Sequence, residues 1–376
     1  MPRVLTLSKI EGGKPGKVYY PLQLQNVGPP PEPGPDEVLV RVQAAALNHR
    51  DLFQRRHLYP SISFDRALLS DGSAVVLSTG SNVSPGLKGK PVVLAPMRGW
   101  ASDPLGPEPG SRVEVAGGSL GCDSGTAREY MVLPACEVEV APGHLSAVEA
   151  AALPLAGLTA WRAVVSKARV KRGQNVLVTG VGGGVALQAL QFVVAFGARA
   201  FVTSGEDVKI SRAVTTHGAT AGVSYRLPDW DGRLRSLLPK ERPYLDAVID
   251  GAGGDVIGRS LTLLRSGGVV VQYGMTLAPT MDWTMRAVLA NVELKGSTGG
   301  SRREFADMVA FVAEKRIRPV VWRSVRGLGR LEAIDGLFED MDAGRQFGKL
   351  VIEIGVDDEA EEEEEEEEEV VLGPSL

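Results

Sequence analysis

Val176-Leu-Val-Thr-Gly-Val-Gly-Gly-Gly-Val-Ala186 decides the reading of this chain. Four apolar or β-favouring residues run into a glycine turn, and Leu187 to Phe196 then carry a helical pattern. A strand, a turn without side chains and a helix start bring backbone N–H groups and a positive dipole end up to a pyrophosphate. The first ligand to expect is therefore a dinucleotide. Gly180, Gly182, Gly183, Gly184 and Ala186 do not spell a strict G-x-G-x-x-G, because Val185 takes the sixth place from Gly180. The spacing Gly180-x-x-Gly183-x-x-Ala186 does fit, since alanine still allows close helix packing.

Outward from that turn, the pattern predicts strands at Asn175–Thr179, Ala200–Thr203, Leu245–Asp250, Val269–Tyr273 and Val292–Lys295, with helices between most of them. Alternation of this kind needs crossover connections and a parallel sheet covered on both faces. Helical patterns at Ser146–Leu155, Leu158–Val165 and Arg303–Lys315 bracket it. Residues 1–145 instead show short strands such as Val38–Ala44, broken by loops at Gly28–Pro35 and Ser102–Gly121, which reads as a β-rich unit. Strand patterns return at Pro319–Val325 and Lys349–Ile354, so residues 317–356 are expected to rejoin the first unit around a cofactor domain at 146–316. A cleft between the two is the natural site.

Composition sets the remaining bounds. With 376 residues and 44% hydrophobic content the chain suits a globular α/β protein of about two domains. No apolar run is long enough to span a membrane. The N-terminus carries neither a signal-peptide core nor an arginine-rich presequence, and Cys122 and Cys136 are the only cysteines, so a cytoplasmic, disulfide-free protein is expected. Twelve acids crowd into residues 357–369, which leaves the body with a net +7 against −5 for the whole chain. The segment 357–376 should be a disordered acidic tail. The basic excess suits an anionic cofactor and is too diffuse for nucleic acid.

Preference at the ribose 2′ position is set about 20 residues beyond the turn. Thr203 and Ser204 fall there, and neither repels a 2′-phosphate. Lys209 adds a cation and Glu206 opposes it. At an effective dielectric of about 20, a unit pair at about 6 Å is worth roughly 3 kcal/mol, so the inward-pointing one settles the preference. The expectation is NADP(H) over NAD(H), with Lys209 as a solvated helix lysine the alternative.

Pro33-Gly-Pro-Asp-Glu-Val-Leu-Val-Arg-Val42, Ala45-Ala-Leu-Asn-His-Arg-Asp-Leu-Phe53, Ala151-Ala-Leu-Pro-Leu-Ala-Gly-Leu-Thr-Ala-Trp161, the glycine turn, Gly267-Gly268 and Gly344-Arg-Gln-Phe-Gly-Lys349 stand in this order. Together they resemble the medium-chain dehydrogenase/reductase superfamily, nearest to its zinc-type alcohol dehydrogenase-like and quinone oxidoreductase-like branch. The resemblance implies a GroES-like catalytic domain built from both chain ends, a Rossmann domain between them, and often a dimer. Zinc-dependent members carry Cys-His-x-Asp and Gly-His-Glu. Here Asn48-His-Arg-Asp51 and Leu69-Ser-Asp71 stand at those places, and the four-cysteine lobe is missing from Trp100–Cys122. Catalytic zinc takes three well-aimed protein ligands, so no zinc is expected; an improvised set of His49, Asp51, Asp71 and Cys122 shows no convergent spacing.

Without a Lewis acid, the reachable task is hydride delivery to an activated C=C or a quinone, whose conjugation spreads the developing charge. The expected enzyme is an NADPH-dependent enone or quinone reductase acting on a small molecule. An alcohol or aldehyde dehydrogenase and a catalytically quiet NADPH-binding sensor or scaffold remain as alternatives. By resemblance, Asn48 lies beside the substrate carbonyl, with a loop-capping Asn the alternative, Tyr59 in His57-Leu-Tyr-Pro60 donates a phenol proton or merely packs, and Asp51 braces the Asn48 loop. Phe53 replaces a tyrosine common in quinone reductases. Thr159 resembles a threonine near the nicotinamide carboxamide. Gly251, Tyr273, Gly274, Ser297 and Thr298 follow later strands, at carboxyl ends where ligands collect or as turns only. Lys349 reads equally as a cofactor contact and a strand-end lysine.

Overall fold

The computed structural model describes residues 1–277 and 280–355; the acidic segment 357–376, with the disorder expected of it, lies outside the described residues, as does Val356. Six parallel strands form one sheet in the order Ala221–Ser224, Arg199–Ser204, Asn175–Val178, Leu245–Asp250, Leu264–Gln272 and Glu293–Gly296. Strand order reverses at Asn175–Val178, which places the glycine turn at the switch point of a Rossmann-like sheet. Val176 and Val178 enter the core on one face, with Leu190, Phe192 and Phe305, while Leu177 enters the core on the other, with Trp230 and Leu234. All three strand residues are fully buried. A run apolar on both faces is what a strand covered by helices on both sides requires, each such side chain contributing about 2 kcal/mol.

Most of the expected elements stand within a few residues of their predicted ends, and the differences have local causes. The helix after the turn starts at Gly184 rather than Leu187 and runs to Ala195. Packing of Ala186, Leu187 and Leu190 outweighs the poor helix propensity of glycine. The pattern at Ser146–Leu155 divides into Ala147–Ala151 and Pro154–Trp161, because Pro154 has no N–H to continue one helix and instead starts the next. Arg162–Lys167 continues it as a π-helix. The strand Ala221–Ser224 and the helix Leu331–Asp342 carried signals too short or too mixed to be marked.

A seven-stranded sheet makes up the GroES-like part. Its order is Val321–Arg326, Lys349–Glu353, Glu37–Ala46, Asp71–Thr79, Pro91–Leu94 and Val138–Val140, with Tyr130–Pro134 also on Glu37–Ala46. Both C-terminal strands thus join strands from the N-terminal half, with Val351 opposite Ala46 and the Leu47 N–H donating to Leu350 O at 2.9 Å. That register brings Lys349 beside Asn48. Behind them, Ile334, Leu337, Phe338 and Met341 bury one helical stripe in the second core. The two halves meet where the Gly348 N–H donates to Gly182 O at 2.9 Å and the Arg302 N–H to Trp100 O at 2.9 Å.

Candidate functional site

A cleft of about 610 Å³ opens between the halves, at the carboxyl ends of the parallel strands. The glycine turn forms one end. Gly180 sits at φ +64, a left-handed conformation that costs a side-chain-bearing residue about 1–2 kcal/mol. Gly183 caps the helix without any side-chain acceptor, so the first-turn N–H groups of Gly184, Val185 and Ala186 have no helical partner. A Cβ on Gly184 would stand 2.6 Å from Lys349 Cδ. The turn is therefore a cradle of free donors that only a bare backbone can form, and its chemistry fits a pyrophosphate.

Beyond the turn, the residues expected at the 2′ position take different parts. Ser204 lines the cleft. Thr203 does not: its hydroxyl accepts the Gly180 N–H at 3.3 Å and its carbonyl the Val181 N–H at 2.7 Å, so it supports the turn from below. Lys209 points inward, but Nζ donates to Glu206 Oε1 at 2.7 Å and Gly344 O at 2.6 Å. Its charge is thereby offset by the acid that the sequence set against it. Tyr225 and Arg226, at the end of the neighbouring strand, also line this region. The Arg226 guanidinium has no ion-pair partner among the described residues. Neither residue stood out in the sequence, because their signal is only adjacency in the sheet.

Beside the helix start at Gly184 lies a buried polar node. Lys349 Nζ donates to Leu47 O at 2.6 Å, Asn48 Oδ1 at 2.7 Å and Asp71 Oδ2 at 2.7 Å. Asn48 Nδ2 donates to Asp71 Oδ2 at 3.0 Å, and Asp71 Oδ1 accepts the Leu155 N–H at 2.6 Å. Since ammonium only donates and carboxylate only accepts, the Asn48 amide has one allowed orientation. One Nδ2 hydrogen has no partner among the described residues. Lys349, read as a cofactor contact, has all three ammonium hydrogens engaged by protein oxygens; only its methylene stem lies against the turn. Asp71 was weighed in the sequence only as a metal ligand.

Asp51 lies beneath this node, fully buried, accepting the Asn48 N–H at 2.8 Å and Arg50 Nη1 at 3.3 Å. Burial pushes its carboxyl up to about 6, against the pull of Arg50. Arg50 also donates to Ala116 O and Gly117 O, holding the loop below, and its guanidinium lies 4.8 Å from the Tyr59 ring centre. Tyr59, Phe53 and Thr159 line the cleft. No hydrogen-bond partner for the Tyr59 hydroxyl occurs among the described residues. Gly251, Tyr273, Gly274 and Thr298 line the same cleft, while Ser297 borders an adjoining pocket of about 460 Å³ instead. Burial and Asp250 raise the Tyr273 phenol above its ordinary value.

The residues at the zinc-ligand places do not fit a zinc ion. Asn48 Oδ1 and both Asp71 oxygens already accept hydrogen bonds, and an ammonium 2.7 Å from two of those oxygens would repel a dication. Cys122 is buried against Ser124. Among the described residues no three His, Cys, Asp or Glu side chains are grouped to hold a metal. No helix among the described residues is long and apolar enough to cross a membrane.

Residues 34–143 match the alcohol dehydrogenase GroES-like domain and residues 184–314 the zinc-binding dehydrogenase family. A zinc-type alcohol dehydrogenase-like protein, YogA, of Leptosphaeria maculans is 53% identical over 94% of this chain and all of its own length. An acryloyl-coenzyme A reductase of Metallosphaera sedula is 28% identical over 86% of this chain and 93% of its own. Among solved structures, an NAD-dependent alcohol dehydrogenase superposes with a TM-score of 0.80 at 32% identity, covering 94% of this chain and all of the other. With the cradle and the cleft, these relatives make the chain an NAD(P)H-dependent oxidoreductase. It belongs to the medium-chain dehydrogenase/reductase superfamily, beside the zinc-type alcohol dehydrogenase-like proteins.

Proposed function

We propose that this enzyme transfers hydride from NADPH to an activated C=C or a quinone, without a catalytic metal. The observation that carries the reading is the Asn48 amide, a neutral donor held by Lys349 and Asp71 where zinc-dependent relatives carry a ligand. When bound, the nicotinamide supplies the hydride. The chain itself orients the acceptor and places the free Asn48 N–H toward its oxygen, where removal of one such donor typically costs about 10²–10³ in kcat. The Tyr59 hydroxyl, free of protein partners among the described residues, holds a proton for the enolate or quinol oxygen. Acryloyl-coenzyme A reductases among the relatives support a conjugated acceptor.

Ser204, Tyr225 and the unpaired Arg226 support NADPH over NADH, the Glu206 and Lys209 charges largely cancelling. A homodimer is supported by the outer edge of Glu293–Gly296, which ends the sheet beside exposed Met285, Val288 and Leu289. Free Cys122 and Cys136 support a cytoplasmic, reducing setting.

The test is NADPH oxidation by chelator-treated protein with quinones, α,β-unsaturated ketones and thioesters and simple aldehydes, beside NADP+ reduction with alcohols. Turnover of the conjugated acceptors, reduced about 100-fold or more in Asn48→Ala, is expected. Activity confined to alcohols and restored by metal would replace the reading with an alcohol dehydrogenase. Tight NADPH binding without any turnover would leave a sensor or scaffold.

A further inference from the structure

We propose that Lys349 is the fixed internal cation of this site and acts on the reaction through Asn48, as a positioning residue rather than a cofactor contact. The inference rests on the reading of Asn48 as the donor to the acceptor oxygen. Lys349 Nζ has three hydrogens and three oxygen partners, at 2.6, 2.7 and 2.7 Å, on Leu47, Asn48 and Asp71. None is left for a phosphate. The ammonium is almost wholly buried and faces an equally buried carboxylate, so the pair is a permanent fixture of the native state. Its stem passes beside Gly184, where a Cβ would collide with Cδ, and the ammonium, two bonds farther on, turns from the phosphate cradle to Leu47, Asn48 and Asp71.

What the pair does there follows from Asn48. Rotating that amide by half a turn would set N–H against the ammonium and C=O against the Asp71 carboxylate, two repulsive contacts in place of two attractive ones. The flip is therefore closed, and the remaining Nδ2 hydrogen keeps one direction. Asp71 Oδ1 ties the same node to the Leu155 N–H, at the head of the helix that carries Thr159 into the cleft. Together Lys349 and Asp71 hold a neutral donor in register with the cofactor end of the cleft.

The test removes both charges at once, so that neither is left buried alone, in two forms: Asp71→Asn/Lys349→Met and the more volume-conserving Asp71→Asn/Lys349→Gln. NADPH dissociation constants, kcat and KM for an enone or quinone are measured beside Asn48→Ala and the triple variants. The expected result is an NADPH affinity within about twofold of wild type, kcat lower by about 10- to 100-fold, and a triple variant no slower than Asn48→Ala alone. NADPH binding weakened tenfold or more with kcat kept would show a phosphate contact and overturn the proposal. A folded double variant with wild-type kcat would overturn it as well. Wild-type kcat in Asn48→Ala would instead remove the donor role of Asn48, and the proposal with it, while a fall in Asn48→Ala alone would leave that role standing and remove only the part given to Lys349.

Discussion

Replacing Glu206 by glutamine should sharpen the preference for NADPH, and the structure sets the size of the effect. Glu206 Oε1 lies 2.7 Å from Lys209 Nζ, whose other protein partner is the Gly344 carbonyl. A phosphate touching the ammonium from its free side would stand about 6 Å from the carboxylate, and at an effective dielectric of about 20 the repulsion is about 3 kcal/mol per unit charge. The Glu206 side chain is 45% exposed, so solvent and salt reduce that figure to about 1 kcal/mol. The expected gain in the NADPH-to-NADH ratio of kcat/KM is therefore about fivefold, since 1.4 kcal/mol corresponds to a factor of ten. NADH carries no charge at the 2′ position and should gain nothing. Steady-state kinetics with both nucleotides at low and high salt measure it, and the gain should shrink as salt rises. An unchanged ratio at low salt, or a higher KM for NADPH, would refute the placement of the 2′ end beside Lys209.

Removing the Arg226 charge as Arg226→Ala should act in the opposite sense, lowering kcat/KM for NADPH by about 5- to 50-fold with little effect on NADH; equal losses for both nucleotides would count against the assignment. Gly180→Ala should raise the dissociation constant of either nucleotide and lower stability by about 1–2 kcal/mol, as calorimetry and denaturant titration can record. The raised Asp51 carboxyl makes a pH prediction. An acid whose native value lies above its unfolded value binds its proton more tightly in the native state, so its contribution is favourable below about pH 4 and is lost as pH rises through about 6. Asp51→Asn should therefore gain on wild type by up to about 3 kcal/mol between pH 4 and 7.5. A difference in unfolding free energy that stays constant over that range would show that burial does not raise this group. On the proposed homodimer, Leu289→Glu should shift sedimentation from dimer to monomer; an unaltered dimer would place the contact elsewhere, and a wild-type monomer would refute the dimer.

Local chemistry explains what could be read in the sequence. The strand Asn175–Val178, the turn and the helix behind it need only contiguous residues, so their geometry was legible. Asn48 was legible through its motif. The partners that give Asn48 its orientation were not, because Lys349 lies 301 residues away and Asp71 lies 23 away. Such contacts exist only once Lys349–Glu353 has paired with Glu37–Ala46. Thr203 shows the reverse failure. Which of two neighbouring hydroxyls faces the cleft depends on the pleat at the end of a strand, and there Ser204 faces it while Thr203 turns under Gly180.

An ammonium and a zinc ion at this place would solve different problems. Zinc bound by three protein ligands leaves a position open and withdraws charge directly from the substrate oxygen. The Lys349 ammonium has no open position, since its three hydrogens meet three protein oxygens, so it cannot polarise a carbonyl itself. What it can transmit is order: a charged hydrogen bond of 2.7 Å fixes the Asn48 oxygen, and the neutral amide then meets the substrate. A single neutral donor stabilises an oxyanion by about 3–4 kcal/mol at best, too little to hold the localised alkoxide of a simple alcohol at neutral pH. It suffices when conjugation already spreads the charge, as in an enolate or a hydroquinone anion. On the proposed function, the limit set by neutral donors is what favours conjugated acceptors, and it makes a sharp demand on the kinetics: rates should rise with the electron-withdrawing power of the acceptor, and Asn48→Ala should steepen that dependence. A slope that is the same in both enzymes would mean that the amide never meets the developing charge.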